Sequence, residues 1–302
     1  MLGPLILSSG AVSAVVEPAF GGRISAFRHG GRDLFAPIPE GGARDLDAPA
    51  SGGCFPLVPW SNRIRDARLR LRGDTVELTP TELPAGHAIH GHGLRRIWGA
   101  EQEGGTVRML YTHDAGVQGW PWSYRASQTV SVDQDGMTIS LSVTQSGSEG
   151  QSSAMPVGLG LHPYFPRTGG TQVTLPVETA WPPTEADKFP VQGGHPVPLE
   201  QDLGRAAAVP LGLDQGFGGW SRTAEICWPD RGLALTMTGK GPLEHVIVYT
   251  PTQRDYFCLE PVTHAIDAAN LSENHGVTGT GHLMLAAGEE LSVSLRFTVK
   301  VL

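Results

Sequence analysis

Two stretches of this chain set an ionisable side chain inside an otherwise apolar run. In Leu159-Gly-Leu-His-Pro-Tyr-Phe165, His162 stands between apolar neighbours and directly before Pro163, which pushes its backbone toward extended geometry. A partly buried imidazole that titrates near neutrality suits general acid catalysis; a hydrogen-bonded core histidine fits the same residues. In Tyr256-Phe-Cys-Leu-Glu-Pro-Val262, Glu260 closes an apolar strand. Desolvation there raises a carboxyl toward the range useful for a base; a strand-end Glu paired to an Arg is the plainer alternative. Three further segments hold polar groups in unusual company. Asn62 and Arg63 follow the apolar run Cys54-Phe-Pro-Leu-Val-Pro-Trp-Ser. The Arg63 fork suits oxygen acceptors, whether on a ligand or on loop carbonyls. His87, His90 and His92 crowd into His87-Ala-Ile-His-Gly-His-Gly93. Such a cluster suggests a metal site, but no acidic partner lies nearby in sequence, and hydrogen-bonding histidines in a glycine loop are expected instead. Asp214, in Leu213-Asp-Gln-Gly-Phe217, reads as a turn residue or a ligand group.

The elements that must position these groups are strands. Leu291, Val293, Leu295, Phe297, Val299 and Val301 alternate with polar residues, the period-two pattern of a half-buried strand. The run 282–286 is expected to pair with it in a hairpin around Ala287-Gly288-Glu289. The same pattern predicts hairpins at 124–132 with 137–143, around Asp135-Gly136, and at 225–228 with 233–238, around Asp230-Arg231-Gly232, since glycine supplies the positive φ of tight turns. Residues 245–250 and 256–260 read as two more strands, and Leu2–Val16 as a buried strand pair. The stretches 164–170, 181–198 and 212–220, rich in Pro and Gly, read as long loops. Together these predict an all-β fold, a large antiparallel β-sandwich in one domain over 1–302.

Composition narrows the partners. The chain has 302 residues, 22 Lys plus Arg against 30 Asp plus Glu, a net charge of −8. An acidic balance argues against a nucleic-acid surface or an anionic membrane. Forty Gly and 24 Pro, with 40% hydrophobic residues, favour many short strands around a real core. Cys54, Cys227 and Cys258 are few and widely spaced, as in buried thiols of a cytoplasmic protein. No basic start precedes the first apolar stretch, so no secretory signal is expected.

Taken together, the segments resemble the aldose 1-epimerase (galactose mutarotase-like) family. The match runs from Gly21-Gly-Arg-Ile-Ser-Ala-Phe27 to Asp267-Ala-Ala-Asn270 and holds its blocks in order: Asn62-Arg63-Ile64, His90-Gly91 with Trp98 downstream, His162-Pro-Tyr-Phe165, Leu213-Asp214 with Phe217, and Leu259-Glu260 with the Asp267 tail. Each block is short; five in order are specific. The resemblance implies a β-supersandwich and cofactor-free interconversion of α- and β-anomers of a small sugar. It implies His162 as general acid at the ring oxygen and Glu260 as general base at the C1 hydroxyl. Asn62, Arg63, His90 and Asp214 would hold the sugar, and up to two of Trp60, Trp98, Trp120, Trp122, Trp181 and Trp220 would offer apolar platforms. The expected assembly is a monomer or homodimer. The chain departs from the family pattern at His92-Gly-Leu-Arg-Arg-Ile97 and at Pro261-Val-Thr-His264, which bears on sugar specificity. Arg65, Arg95 and Arg96 would suit a hexose 6-phosphate, or a solvated basic face. Competing readings are a non-catalytic carbohydrate-binding protein on the same scaffold and a glycosidase using Asp214 and Glu260 as its carboxylate pair.

Overall fold

The computed structural model describes residues 3–39, 45–47, 51–147, 153–184, 188–190 and 192–302. Two large sheets dominate. One has eleven strands among the described residues. Its order runs Leu5–Ser9, Val12–Glu17, Arg23–His29, Cys54–Leu57, Gly160–Pro166, Tyr256–Val262, His245–Tyr249, Asp214–Gly218, Thr179–Trp181, His195–Pro196, with Arg32–Asp33 off the edge. The other has eight, centred on Gly136–Gln145, Glu290–Val301 and Leu233–Lys240. Paired strands such as Gly160–Pro166 and Tyr256–Val262 run antiparallel. The sandwich expected from the alternation is what forms.

The period-two strands behave as their pattern requires. Glu290–Val301 is flanked on both sides by partners, and its Val293, Leu295 and Phe297 are buried. Phe297 meets Phe27 and Phe35 at ring-centroid distances of 6.2 and 5.3 Å, and Phe35 meets Phe165 at 5.8 Å. That aromatic cluster stitches the two sheets together and belongs to the main core. Burying rings of this size contributes about 1.5–3 kcal/mol each, with edge contacts adding to that.

Strand parity decides the rest. Leu161 and Phe165 point into the main core. Residues of opposite parity must therefore emerge on the other face of the large sheet. There Phe55, Leu57, Tyr164, Ile247, Cys258 and Val262 form a second apolar cluster. His162 and Glu260 share the parity of this second cluster.

Two expectations are corrected. The run Leu283–Leu285 pairs with Met155–Val157, not with the C-terminal strand. Gly288, at φ 80°, carries the chain away from its expected partner. The Pro/Gly-rich stretches are also not simple loops. Gly160–Pro166, Thr179–Trp181, His195–Pro196 and Asp214–Gly218 are all strands. Gly218 serves packing: a Cβ there would lie 2.8 Å from Nε1 of Trp181. Glycine there makes room for an indole and does not signal a turn. The N-terminal pair is present as Leu5–Ser9 with Val12–Glu17; Leu2 lies outside the described residues. No helix among the described residues is long and apolar enough to cross a membrane.

Candidate active site

The register of two strands brings His162 and Glu260 together. Gly160 faces Val262 and Tyr164 faces Cys258, so His162 falls opposite Glu260. Directly opposed side chains on one sheet face lie within contact distance. His162 Nε2 lies 3.2 Å from Glu260 Oε1, and both side chains are buried. Phe55, opposite His162 on the next strand, packs on the imidazole at 4.4 Å, and Tyr164 stacks on it at 4.7 Å and 14°. The ring is thus packed by two aromatics and aimed at the carboxyl.

Burial sets the protonation of this pair. It pushes the Glu260 carboxyl well up; Asp214 adds to the rise and Arg63 opposes it. Burial also pushes His162 down to about 3, with Arg23 reinforcing the fall. Both directions disfavour charge. At 3.2 Å the contact is therefore one in which burial favours neutral partners over an ion pair. Glu260 Oε2 and His162 Nδ1 have no hydrogen-bond partner among the described residues. Buried polar atoms of this kind are costly unless a ligand meets them.

A short arm folds over this face. Arg63–Ile64 pairs with Ala88–Ile89, setting Arg63 beside His90. The Asn62 N–H donates to His90 Nδ1 at 3.2 Å, and the His90 N–H donates to the Asn62 carbonyl at 2.9 Å. With Nδ1 accepting, the neutral ring of His90 carries its proton on Nε2. Burial, then His162, holds His90 well below the usual imidazole range, so it stays a neutral donor. Its ring meets that of His162 at 5.2 Å. Gly91 makes the close approach possible: it sits at φ +67°, and a Cβ there would meet the Val58 carbonyl oxygen at 2.1 Å.

Arg63 is braced from several sides. Its Nε and Nη2 donate to the carboxylate of Glu82 at 2.8 and 2.9 Å. Its Nη1 reaches Asn62 Oδ1 at 3.2 Å and lies 3.9 Å from Asp214 Oδ2. The carboxamide oxygen of Asn62 is thus committed to Arg63. Asp214 sits on the strand Asp214–Gly218, opposite Tyr249, and accepts from Lys188 Nζ at 2.7 Å. Glu82 and Lys188 were not singled out from sequence. Glu82 lies in a polar loop 19 residues from its partner, and Lys188 in a Pro-rich stretch, so neither carried a local signal.

The histidine cluster of the sequence comes apart. His87 Nδ1 accepts from the Asp66 N–H at 3.0 Å. His92 turns the other way into the core, bonding the Tyr124 hydroxyl at 2.8 Å and stacking on His113 at 4.2 Å. Only His90 joins the catalytic candidates. Donor atoms of His162, Cys258 and Glu260 do lie within 4.8 Å of one another. Burial holds the Cys258 thiol well above its ordinary range, which favours an inert, protonated sulfur. Cys54 and Cys258 are buried and Cys227 half-buried, all free thiols.

The tryptophans are core. Trp60, Trp98, Trp120, Trp122, Trp181 and Trp220 are all buried; the rings against His162 are Phe55, Tyr164 and His90. Trp60 and Trp120 instead help line a water-sized cavity of about 30 Å³ behind the arm. Arg95 donates to the carbonyls of Ile89 and Thr81, and Arg96 to that of Arg95. Arg65 lies over the Phe189 ring at 4.1 Å.

The Asp267 tail anchors the arm. Asp267 Oδ1 accepts from the Arg65 N–H at 3.2 Å and from Asn270 Nδ2 at 2.7 Å; Asn270 Oδ1 accepts from the Arg70 N–H at 2.8 Å. Burial raises the Asp267 carboxyl from the ordinary 3.8 to about 7. A group raised on folding stabilises fully below its unfolded value and loses that contribution as pH climbs through the folded one. The window here is about pH 4 to 7. Asp267→Asn keeps the acceptor oxygen, so stability should fall less between pH 4.5 and pH 8 than in the wild type. Three pH units bound the difference at about 4 kcal/mol. Thermal melts of both proteins at the two pH values check this; parallel declines would refute it.

Comparison with known proteins agrees with this fold. The family model for aldose 1-epimerase matches residues 5–298. The chain belongs to the aldose 1-epimerase family. It is similar to YphB of Escherichia coli (strain K12), at 30% identity over 97% of this chain and 98% of that one. A crystal structure of a candidate aldose 1-epimerase from Escherichia coli K12 superposes with TM-score 0.84 at 29% identity, covering 99% of each chain. A galactose mutarotase-like protein of Clostridium acetobutylicum shares the fold at TM-score 0.84 and 17% identity, over 98% and 95% of the two chains. Membership in the aldose 1-epimerase family supports a mutarotase-type role for the chain.

Proposed function

We propose that the chain is an aldose 1-epimerase, an isomerase that interconverts the α- and β-anomers of a free hexose. The observation that carries this reading is the buried imidazole–carboxyl pair, 3.2 Å apart, on the floor of a face edged by neutral and charged donors. Ring opening of a hemiacetal needs one proton delivered to the ring oxygen and one removed from the C1 hydroxyl. The pair holds one mobile proton. With the ring oxygen and C1 hydroxyl of a sugar set against the two groups, that proton moves to His162 and leaves Glu260 as carboxylate. Glu260 then takes the C1 hydroxyl proton while the His162 imidazolium protonates the ring oxygen as the C1–O bond breaks. The open aldehyde turns about C1–C2. Reclosure reverses both transfers, and the enzyme regains its starting protons. Each positioned group contributes about 10²–10⁴, and holding the sugar contributes more.

The surrounding groups suit neutral hydroxyls. His90 presents Nε2–H. Arg63 and Lys188 are already balanced by Glu82 and Asp214, so the site carries no large excess of either charge. An imidazole opposite Glu260 also favours acid–base isomerisation over a two-carboxylate glycosidase.

Polarimetry with freshly dissolved glucose, galactose and their 6-phosphates tests the reading. Acceleration of the approach to anomeric equilibrium with a free hexose is expected. Binding of these sugars without acceleration would instead support a carbohydrate-binding protein.

A further inference from the structure

The Gly21-Gly-Arg-Ile segment contains a charged residue that the proposed chemistry leaves unused. Arg23 is 1% exposed, a rare position for a guanidinium. Its Nη1 donates to the Gly52 carbonyl, and Nε has no partner among the described residues. Its Cζ lies 4.9 Å from the Phe20 ring centre and 4.7 Å from that of Phe55. Phe55 is the ring that packs on His162 at 4.4 Å. The cation therefore lies at most about 9 Å from the imidazole, with an aromatic ring touching both and no bulk water to screen them. Glu17, opposite Arg23 across the neighbouring strand pair, is the nearby acidic group.

We infer that Arg23 is a positioning residue for the proposed reaction: through Phe55 it fixes the ring of His162, and its buried charge makes His162 a stronger acid. The inference rests on the mutarotase reading for its catalytic meaning. A cation near an imidazole opposes its protonation and so sharpens its delivery of a proton. The tendency of Arg23 to lower His162, second only to burial, agrees. The other groups facing His162 are Glu260 at 3.2 Å, the stacked Tyr164, His90 at 5.2 Å and the Cys258 thiol. Cys54 lies on the adjoining strand opposite Pro163, and Arg63 and Asp214 act on Glu260. Among these, only Arg63 shares the sign of Arg23, and it is neutralised by Glu82.

The test follows the ¹⁵N resonances of His162, assigned by loss in His162→Asn, across a pH series in wild type, Arg23→Met, Arg23→Lys and Glu17→Gln. Arg23→Met should raise the protonation midpoint of His162 by about one pH unit, the Coulomb effect of a charge at this range. Arg23→Lys, which keeps the charge, should leave it within a few tenths. Glu17→Gln should move it the opposite way. A folded Arg23→Met protein with an unmoved midpoint overturns the inference. If Arg23→Met does not fold, an unmoved midpoint in Glu17→Gln overturns it. The titration needs no substrate, so its outcome stands apart from polarimetry: a shifted midpoint without mutarotation would fault the reaction and not the coupling.

Discussion

Glu260→Gln should retain the fold and lose at least about 10² of the catalysed rate of anomer interconversion. The fold survives because burial already favours a neutral group at this position, and an amide is neutral at every pH. Gln can still meet Nε2 of His162, so no new buried polar atom is orphaned. It cannot take a proton from the C1 hydroxyl. Stability should also change in a defined direction with pH. The raised carboxyl of the wild type stabilises fully below about pH 4.5 and loses that contribution as pH rises toward its folded value. The Gln variant has no such loss and should gain on the wild type in alkaline melts. Polarimetry corrected for spontaneous mutarotation, with melts at pH 5 and 9, measures both. A variant with near-normal turnover would remove Glu260 from its role as base.

His162→Asn should cost a similar factor, at least about 10² in turnover. It should also cost stability, about 1–3 kcal/mol, since it removes the ring on which Phe55 and Tyr164 pack. The histidine is depressed to about 3 in the fold. It therefore remains neutral where an unfolded histidine charges, and wild-type stability falls as pH drops from about 6.5 toward 3. Asn has no such decline. The decisive arm is the double variant with Glu260→Gln. Groups that act as one proton-transfer unit are strongly non-additive, so the double variant should turn over about as slowly as the worse single one. Losses that multiply would mean that the two residues work independently.

The neutral state of the pair explains why both substitutions are informative. An ion pair buried this deeply would leave a stranded charge when either partner was removed, and misfolding would mask chemistry. Here each variant leaves a neutral neighbour behind. The remaining hazard is packing around His162, which the melts report.

The sequence by itself determined the strands whose alternation was clean. Residues 291–301, 124–132 and 137–143 had one wet and one apolar face, and a side-chain period of two admits a single register. It also located His162 and Glu260, because an ionisable group within an apolar run is anomalous wherever the chain goes. Strand pairing was less legible. The run 282–286 looked like half of a hairpin, yet it joined Met155–Val157, because a short apolar strand has many acceptable partners. Glycine at 218 suggested a loop because sequence does not show the indole that needs its space.

Only the tertiary structure decided which polar residues share a site. Spacing grouped His87, His90 and His92, but His90 and Gly91 in left-handed backbone turn the three into different surroundings. Register, set between strands about a hundred residues apart, put His162 opposite Glu260. Glu82 and Lys188 became visible only through their partners Arg63 and Asp214. The pair's electrostatics were decided there too: burial, a property of the packed sheet and its covering arm, pushes the Glu260 carboxyl up and the His162 imidazole down.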